Sequence, residues 1–126
     1  MDDATTPIAT LARALAEFNG ARDWGRFHTP RDLAMALSIE AAEALELFLW
    51  KAEGDVPERA RLREELGDVM ICLVNLAART GIDLMAAASD KLAKNAVKYP
   101  VEKARGRADK WTTWTEKSDV EDPDTP

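Results

Sequence analysis

Two carboxylate pairs stand on neighbouring stretches of helical periodicity, Glu40-Ala41-Ala42-Glu43 and Glu65-Leu66-Gly67-Asp68. Each pair is spaced i,i+3, so on a helix its two side chains point roughly the same way. The first stretch has an apolar stripe at Leu33, Leu37, Ala44 and Leu47. At roughly 100° per residue, Glu40 falls in the middle of that stripe and Glu43 on its edge. On the second stretch the stripe reads Leu62, Leu66, Val69, Leu73 and Leu76. Glu65 lies about 60° and Asp68 about 120° from Leu62, on one flank. A fold that buries both stripes therefore carries acids inward with them. An inward carboxylate is costly unless it is protonated, paired with Arg or Lys, or bound to a cation. If the two helices pack side by side, four acids converge. A hard divalent cation such as Mg2+, which prefers oxygen ligands, resolves their repulsion. The pattern points to a metal site and to phosphate chemistry. Glu46, Glu53, Glu58 and Glu64 read instead as ordinary surface glutamates.

Periodicity predicts an all-α chain of four helices. The first spans about Thr5 to Asn19, with Ile8, Leu11, Leu15 and Phe18 on one side and Asn19-Gly20 as its stop. The second opens at Thr29-Pro30-Arg31-Asp32 as a capping box with proline at the first helical position, and continues to about Lys51. The third runs from Pro57 to about Thr80 and stops at Gly81. The fourth, capped by Asp83, ends near Lys98, where Tyr99-Pro100 breaks it. Residues 1–111 form one domain on this reading. Residues 112–126, polar and acidic, form a tail expected to be disordered.

Charge and cysteine content narrow the function classes. A net charge of -6 argues against a nucleic-acid polymer as partner but leaves room for nucleotides, whose phosphates a metal can carry. The single cysteine, Cys72, fits a reducing compartment. The longest apolar run, Val69 to Leu73 and on through Ala78, is about half a membrane span. The start, Met1-Asp2-Asp3, lacks the basic residues that open a signal peptide. A cytoplasmic protein is expected, with no membrane partner. The sole histidine, His28, lies outside the helices, which disfavours a di-iron bundle built on Glu-x-x-His pairs.

In order along the chain stand Arg22-Asp23-Trp24 with Phe27-His28, Glu40-x-x-Glu43, Leu47-Phe48-Leu49-Trp50-Lys51, Glu64-Glu65-Leu66-x-Asp68, and Lys91-x-x-x-Asn95-x-x-Lys98-Tyr99-Pro100. This series resembles the MazG-like all-α nucleotide pyrophosphohydrolases, and among them the dCTP pyrophosphatase branch. The resemblance implies a four-helix-bundle-like fold whose core is completed by dimerisation, as a homodimer or homotetramer. It implies cleavage of a nucleoside triphosphate between the α and β phosphates, with dCTP or a related or modified pyrimidine deoxynucleotide as substrate and Mg2+ (or Mn2+ in its place) as cofactor. Carried over by position, Glu40, Glu43, Glu65 and Asp68 are the catalytic metal ligands. Lys91, Asn95 and Tyr99 hold phosphates and sugar, and Trp24, His28 and Trp50 form the base pocket. The chain departs from the family pattern at Ile39, where a glutamate often stands, and at Cys72, where an aromatic residue is expected.

The residues are consistent with that chemistry. A glutamate of the cluster, Glu43 or Glu40, can accept the proton of an attacking water. Lys91 and Lys98 can neutralise the leaving pyrophosphate. Lys91, Asn95 and Tyr99 follow at i,i+4 and can share one helix face. A pyrophosphatase of broader specificity for modified nucleotides, and a noncatalytic metal-binding helical oligomer, are the alternatives.

Overall fold

The computed structural model describes residues 6–114. Among these the chain is helical, without strands: α1 Pro7–Ala21, α2 Pro30–Glu46, α3 Arg59–Thr80, α4 Leu84–Lys98 and α5 Val101–Ala104, with 3-10 turns at Trp24–Phe27 and Trp111–Thr113. The all-α expectation holds. The chain divides into two compact units, Met1–Asp83 and Leu84–Pro126. No single helix among the described residues is long and apolar enough to cross a membrane.

In the first unit α3 is the central element, with α2 and α1 both packed against it. Local chemistry sets the helix starts. Thr6 Oγ1 accepts from the Ala9 N–H at 3.2 Å ahead of Pro7. Thr29 Oγ1 accepts from the Asp32 N–H at 3.1 Å ahead of Pro30, so the Thr29 half of the capping box forms. Leu15 of α1, Leu33 of α2, and Val74 and Ala77 of α3 are the buried apolar residues. Between α1 and α2, Asp23 adopts a left-handed conformation and forms an ion pair with Arg26. Trp24 then turns its ring edge-on to Phe18, centroids 5.6 Å apart.

Four expectations are corrected. Helix α1 does not stop at Asn19-Gly20 but runs through them to Ala21, Gly20 keeping helical backbone. Helix α2 ends at Glu46, short of Lys51. From Leu47 the backbone bonds tighten to an i,i+3 pattern (Phe48 N to Leu45 O, Leu49 N to Glu46 O) and Trp50 goes to φ +65°. Leu66, assigned to the α3 stripe, is exposed; the buried line of α3 passes through Val74 and Ala77. A fifth helix, begun after Pro100, follows the expected four.

The stop of α3 is as expected. Gly81 sits at φ +70°, its N–H reaching Ala77 O, and the Ile82 N–H bonds the same carbonyl at 3.0 Å. A Cβ at Gly81 meets no atom within 4 Å, so only backbone conformation resists a side chain there. Gly81→Ala is expected to destabilise by about 1–2 kcal/mol, the cost of a left-handed L-residue, as read from urea unfolding midpoints.

Within the second unit, Asp109 is the hub. Its carboxylate accepts from Arg107 Nε at 3.1 Å and Nη2 at 2.8 Å, from Thr113 Oγ1 at 2.7 Å and from Trp114 Nε1 at 2.6 Å. These bonds, Arg107 first, hold its carboxyl well below the usual carboxylate range. Tyr99 meets Trp114 edge-on at 5.5 Å. Residues 112–114, the start of the expected tail, thus belong to an ordered turn; the rest of that expectation, on residues 115–126, lies outside the described residues.

Candidate metal centre

Helix α2 supplies Glu40 and Glu43, and α3 supplies Glu65 and Asp68. Because the two helices pack on each other, three of these acids meet. One oxygen each from Glu40, Glu43 and Glu65 lies within 4.8 Å of the other two. Glu43 is exposed, while Glu40 and Glu65 are half-buried. Glu40 Oε2 and Glu65 Oε2 are shielded from solvent and have no hydrogen-bond partner. A buried carboxylate oxygen without a donor is uncommon in a folded protein and costs its full desolvation.

Electrostatics bears out the cost. Burial pushes the Glu40 carboxyl up, followed by the adjoining Glu43 carboxyl and the charges of Asp68 and Glu65. Burial likewise raises Glu65, with Glu43 and Asp68 adding to it. Asp68 is exposed and stands outside the trio of close oxygens, yet its charge acts on both. Burial, then Glu40 and Asp68, also raises the Cys72 thiol one turn further along α3. No Arg or Lys is bonded to either orphaned oxygen. Of the three remedies for an inward acid, a cation fits this donor set: every donor is a carboxylate oxygen, the kind a hard divalent ion prefers.

Two clefts flank the cluster. One, of about 520 Å³, is lined by Glu43, Glu46 and Glu65 together with Trp50, Lys51 and Arg61. The other, of about 610 Å³, carries Asp68, Arg63, Glu64 and Ile71. A third cavity, smaller at about 290 Å³ and mainly apolar, holds Trp24 and His28. The expected base-pocket residues are therefore divided: Trp24 and His28 line one cavity, and Trp50, 93% exposed, lines a cleft beside the acids. Lys91, Asn95 and Lys98 belong to α4 in the second unit, where the Lys98 ammonium lies 6.0 Å from the Trp111 ring centroid and Tyr99 follows the helix.

Sequence reasoning passed over Asn19 and Asn75. Their side chains are hydrogen-bonded to each other at 3.2 Å, joining α1 to α3 on the wall of the Trp24–His28 cavity. A signal was present: Asn75 interrupts the apolar run Val69 to Ala78. Arg61, on the acid cleft, was also passed over, an isolated basic residue near a helix start carrying no such signal; Lys51, on the same cleft, stood in the family-like series without a role.

The MazG-like family model matches residues 35–113, which include all four acids. The chain belongs to the MazG-like family. It is 46% identical to dCTP pyrophosphatase 1 of Rattus norvegicus and 44% identical to dCTP pyrophosphatase 1 of Homo sapiens. Each alignment covers 83% of this chain and 66% of the relative's length. The fold also matches the crystal structure of a pyrophosphatase from Archaeoglobus fulgidus, with a TM-score of 0.73 and 34% identity over 79% of this chain and 98% of the other. The acidic group able to hold a metal, on the α2–α3 pair, lies inside the segment that the family model matches.

Proposed function

We propose that this chain is a nucleoside triphosphate diphosphatase. It hydrolyses dCTP or a related, including modified, pyrimidine deoxynucleotide to the monophosphate and pyrophosphate, and so clears the nucleotide pool. The observation that carries the reading is the pair of shielded, unbonded oxygens on Glu40 and Glu65 within reach of Glu43. The names of the mammalian and archaeal relatives support the reaction type.

In this reading Glu40, Glu43, Glu65 and Asp68 hold Mg2+, with Mn2+ as a substitute. When bound, the ion supplies positive charge for the phosphate oxygens and acidity for an attacking water. The chain's own residues do the rest. Glu40 and Glu65, set by packed helices, give a pair of shielded carboxylate oxygens with no protein donor, which a cation can claim from the proton. Glu43, exposed like Asp68, can take the water's proton at a carboxylate oxygen that the ion leaves open. Lys51 and Arg61 on the adjoining cleft offer charge to the phosphates. Lys91, Asn95, Lys98 and Tyr99 complete the phosphate and sugar contacts, and Trp24, His28 and Trp50 the base contacts.

The domain spans residues 1–111 and acts as a homodimer or homotetramer. Met35 and Ile39 on α2, with Leu66 and Met70 on α3, leave apolar side chains exposed for a second copy to cover. With a single cysteine the enzyme suits the cytoplasm.

Pyrophosphate release from dCTP that requires Mg2+ tests the proposal. Absence of release from every triphosphate of a canonical and modified panel, by a folded oligomer, overturns it in favour of a noncatalytic metal-binding module.

A further inference from the structure

The cavity of about 290 Å³ at the junction of α1, the first 3-10 turn and α3 is walled by Leu11, Leu15, Phe18, Trp24 and Ile71. In this apolar setting stand two half-buried carboxamides, Asn19 and Asn75, bonded to each other at 3.2 Å. That bond uses one N–H of Asn19 and one lone pair of Asn75. Each amide carries two donors and a two-lone-pair acceptor. The NH2 of Asn75 and the amide oxygen of Asn19 are therefore left with capacity beside an apolar wall. Exchanging the donor and acceptor roles of the two amides leaves the same combination, one free NH2 and one free carbonyl. Two polar groups at this depth, where a Leu–Leu contact would join the helices as well, need a reason.

We infer that the Asn19–Asn75 pair reads the hydrogen-bonding edge of the substrate's base and is a specificity element of the enzyme. The inference rests on the proposed nucleotide hydrolysis. Three features support it. The cavity sits at the small end of ligand pockets, which run from about 300 Å³ upward, so it takes one part of a nucleotide, a heterocycle, and not the whole. A free donor beside a free acceptor matches a base that presents an amino group next to a ring nitrogen, as cytosine does, and apolar and aromatic walls suit its ring faces. The placement along α3 is also ordered. Asp68 lines the cleft at the acidic end, Ile71 lines both that cleft and this cavity, and Asn75 lies one turn further on. Seven residues of helix separate Asp68 from Asn75, about 10 Å of rise, the scale of a sugar set between phosphate and base.

The test compares dCTP with a triphosphate carrying a nonpolar isostere of the same base, in the wild type and in the Asn19→Ala/Asn75→Ala double variant. Removing both amides leaves neither one orphaned, which protects folding. The preference for dCTP, as a ratio of kcat/KM values, is expected to shrink by about 10- to 100-fold, the discrimination typical of one paired base contact. An unchanged ratio in a folded variant overturns the inference, because a pair that only clamps α1 to α3 does not act on that ratio. A measurement on the wild type alone covers a variant that does not fold. The side-chain amide NMR signals of Asn19 and Asn75 are expected to shift with deoxycytidine and not with the isosteric nucleoside; equal responses overturn the inference. If the wild type hydrolyses no triphosphate, the reaction reading falls, and the amide titration still decides whether the pair reads a base.

Discussion

Replacing Glu40 by glutamine is expected to raise the thermal midpoint of the metal-free protein near neutral pH while removing pyrophosphate release. The two effects share one cause. Glu40 lies on the packed side of α2, with Oε2 shielded and unbonded, and shares its site with two other acids. In the ionised form it carries a desolvated charge next to like charges, and for this reason its carboxyl titrates above the ordinary range. Glutamine keeps the shape and drops the charge. It also leaves a poorly paired amide, at a cost of about 1–3 kcal/mol, less than that of an uncompensated buried ion. The fold gains and the site loses. A ligand set deprived of a buried anionic oxygen no longer fixes a cation against the phosphates, and several kcal/mol of charge stabilisation go with it, about 10³-fold or more in rate. Scanning calorimetry in chelator and a pyrophosphate assay with Mg2+ measure the two arms. A variant that melts lower than wild type and keeps its turnover contradicts the assignment of Glu40. Glu58→Gln is the control: that residue, exposed and at the start of α3, belongs to no cluster, and both readings are expected to stay put.

The acid centre was legible because it breaks a local rule. Amphipathic periodicity demanded an apolar residue where Glu40 stands, and only tertiary placement of α2 against α3 makes sense of the exception. The start of α2 was legible for a similar reason: Thr29 and Pro30 act within one turn of sequence. The end of α2 was not. Leu47-Phe48-Leu49-Trp50 has no glycine or proline, so nothing local announces the tightening turns or the left-handed Trp50. Leu66 was misplaced because helical spacing defines a stripe only to within a residue or so, and the neighbouring line through Val74 and Ala77 faces the partner helices. The Asp109 knot was invisible in composition: Arg, Asp, Thr and Trp in a polar stretch read as coil until their geometry is known. Asn75 was the missed opportunity, since a carboxamide inside an apolar run is the same kind of exception as Glu40.

The second large effect is a coupling of stability to pH that changes with metal. In the metal-free protein the Glu40 and Glu65 carboxyls have raised pKa values, burial being the first cause for both. Between the ordinary glutamate range and those raised values, the native state holds more protons than the unfolded chain. Stability therefore falls as pH rises through that interval. The contribution is complete below the unfolded-state pKa and is lost once pH passes the folded-state values. Magnesium opposes this trend because it binds the deprotonated acids. Its stabilisation is expected to be small in acid, where protons occupy the site, and to grow toward neutrality. At a hundredfold excess over its dissociation constant the gain is about 2.7 kcal/mol, on the order of 10 °C in Tm for a chain of this size. Melting curves in chelator and in Mg2+, taken from acid to neutral pH, are thus expected to diverge, the first descending and the second rising away from it. Glu40→Gln is expected to flatten the descending curve and bring the two together. Parallel curves for the wild type would place the metal somewhere other than the α2–α3 carboxylates. Convergence in the variant alone identifies Glu40 as a shared binding point for proton and metal, so the buried charge that weakens the empty fold is the one that draws the ion in.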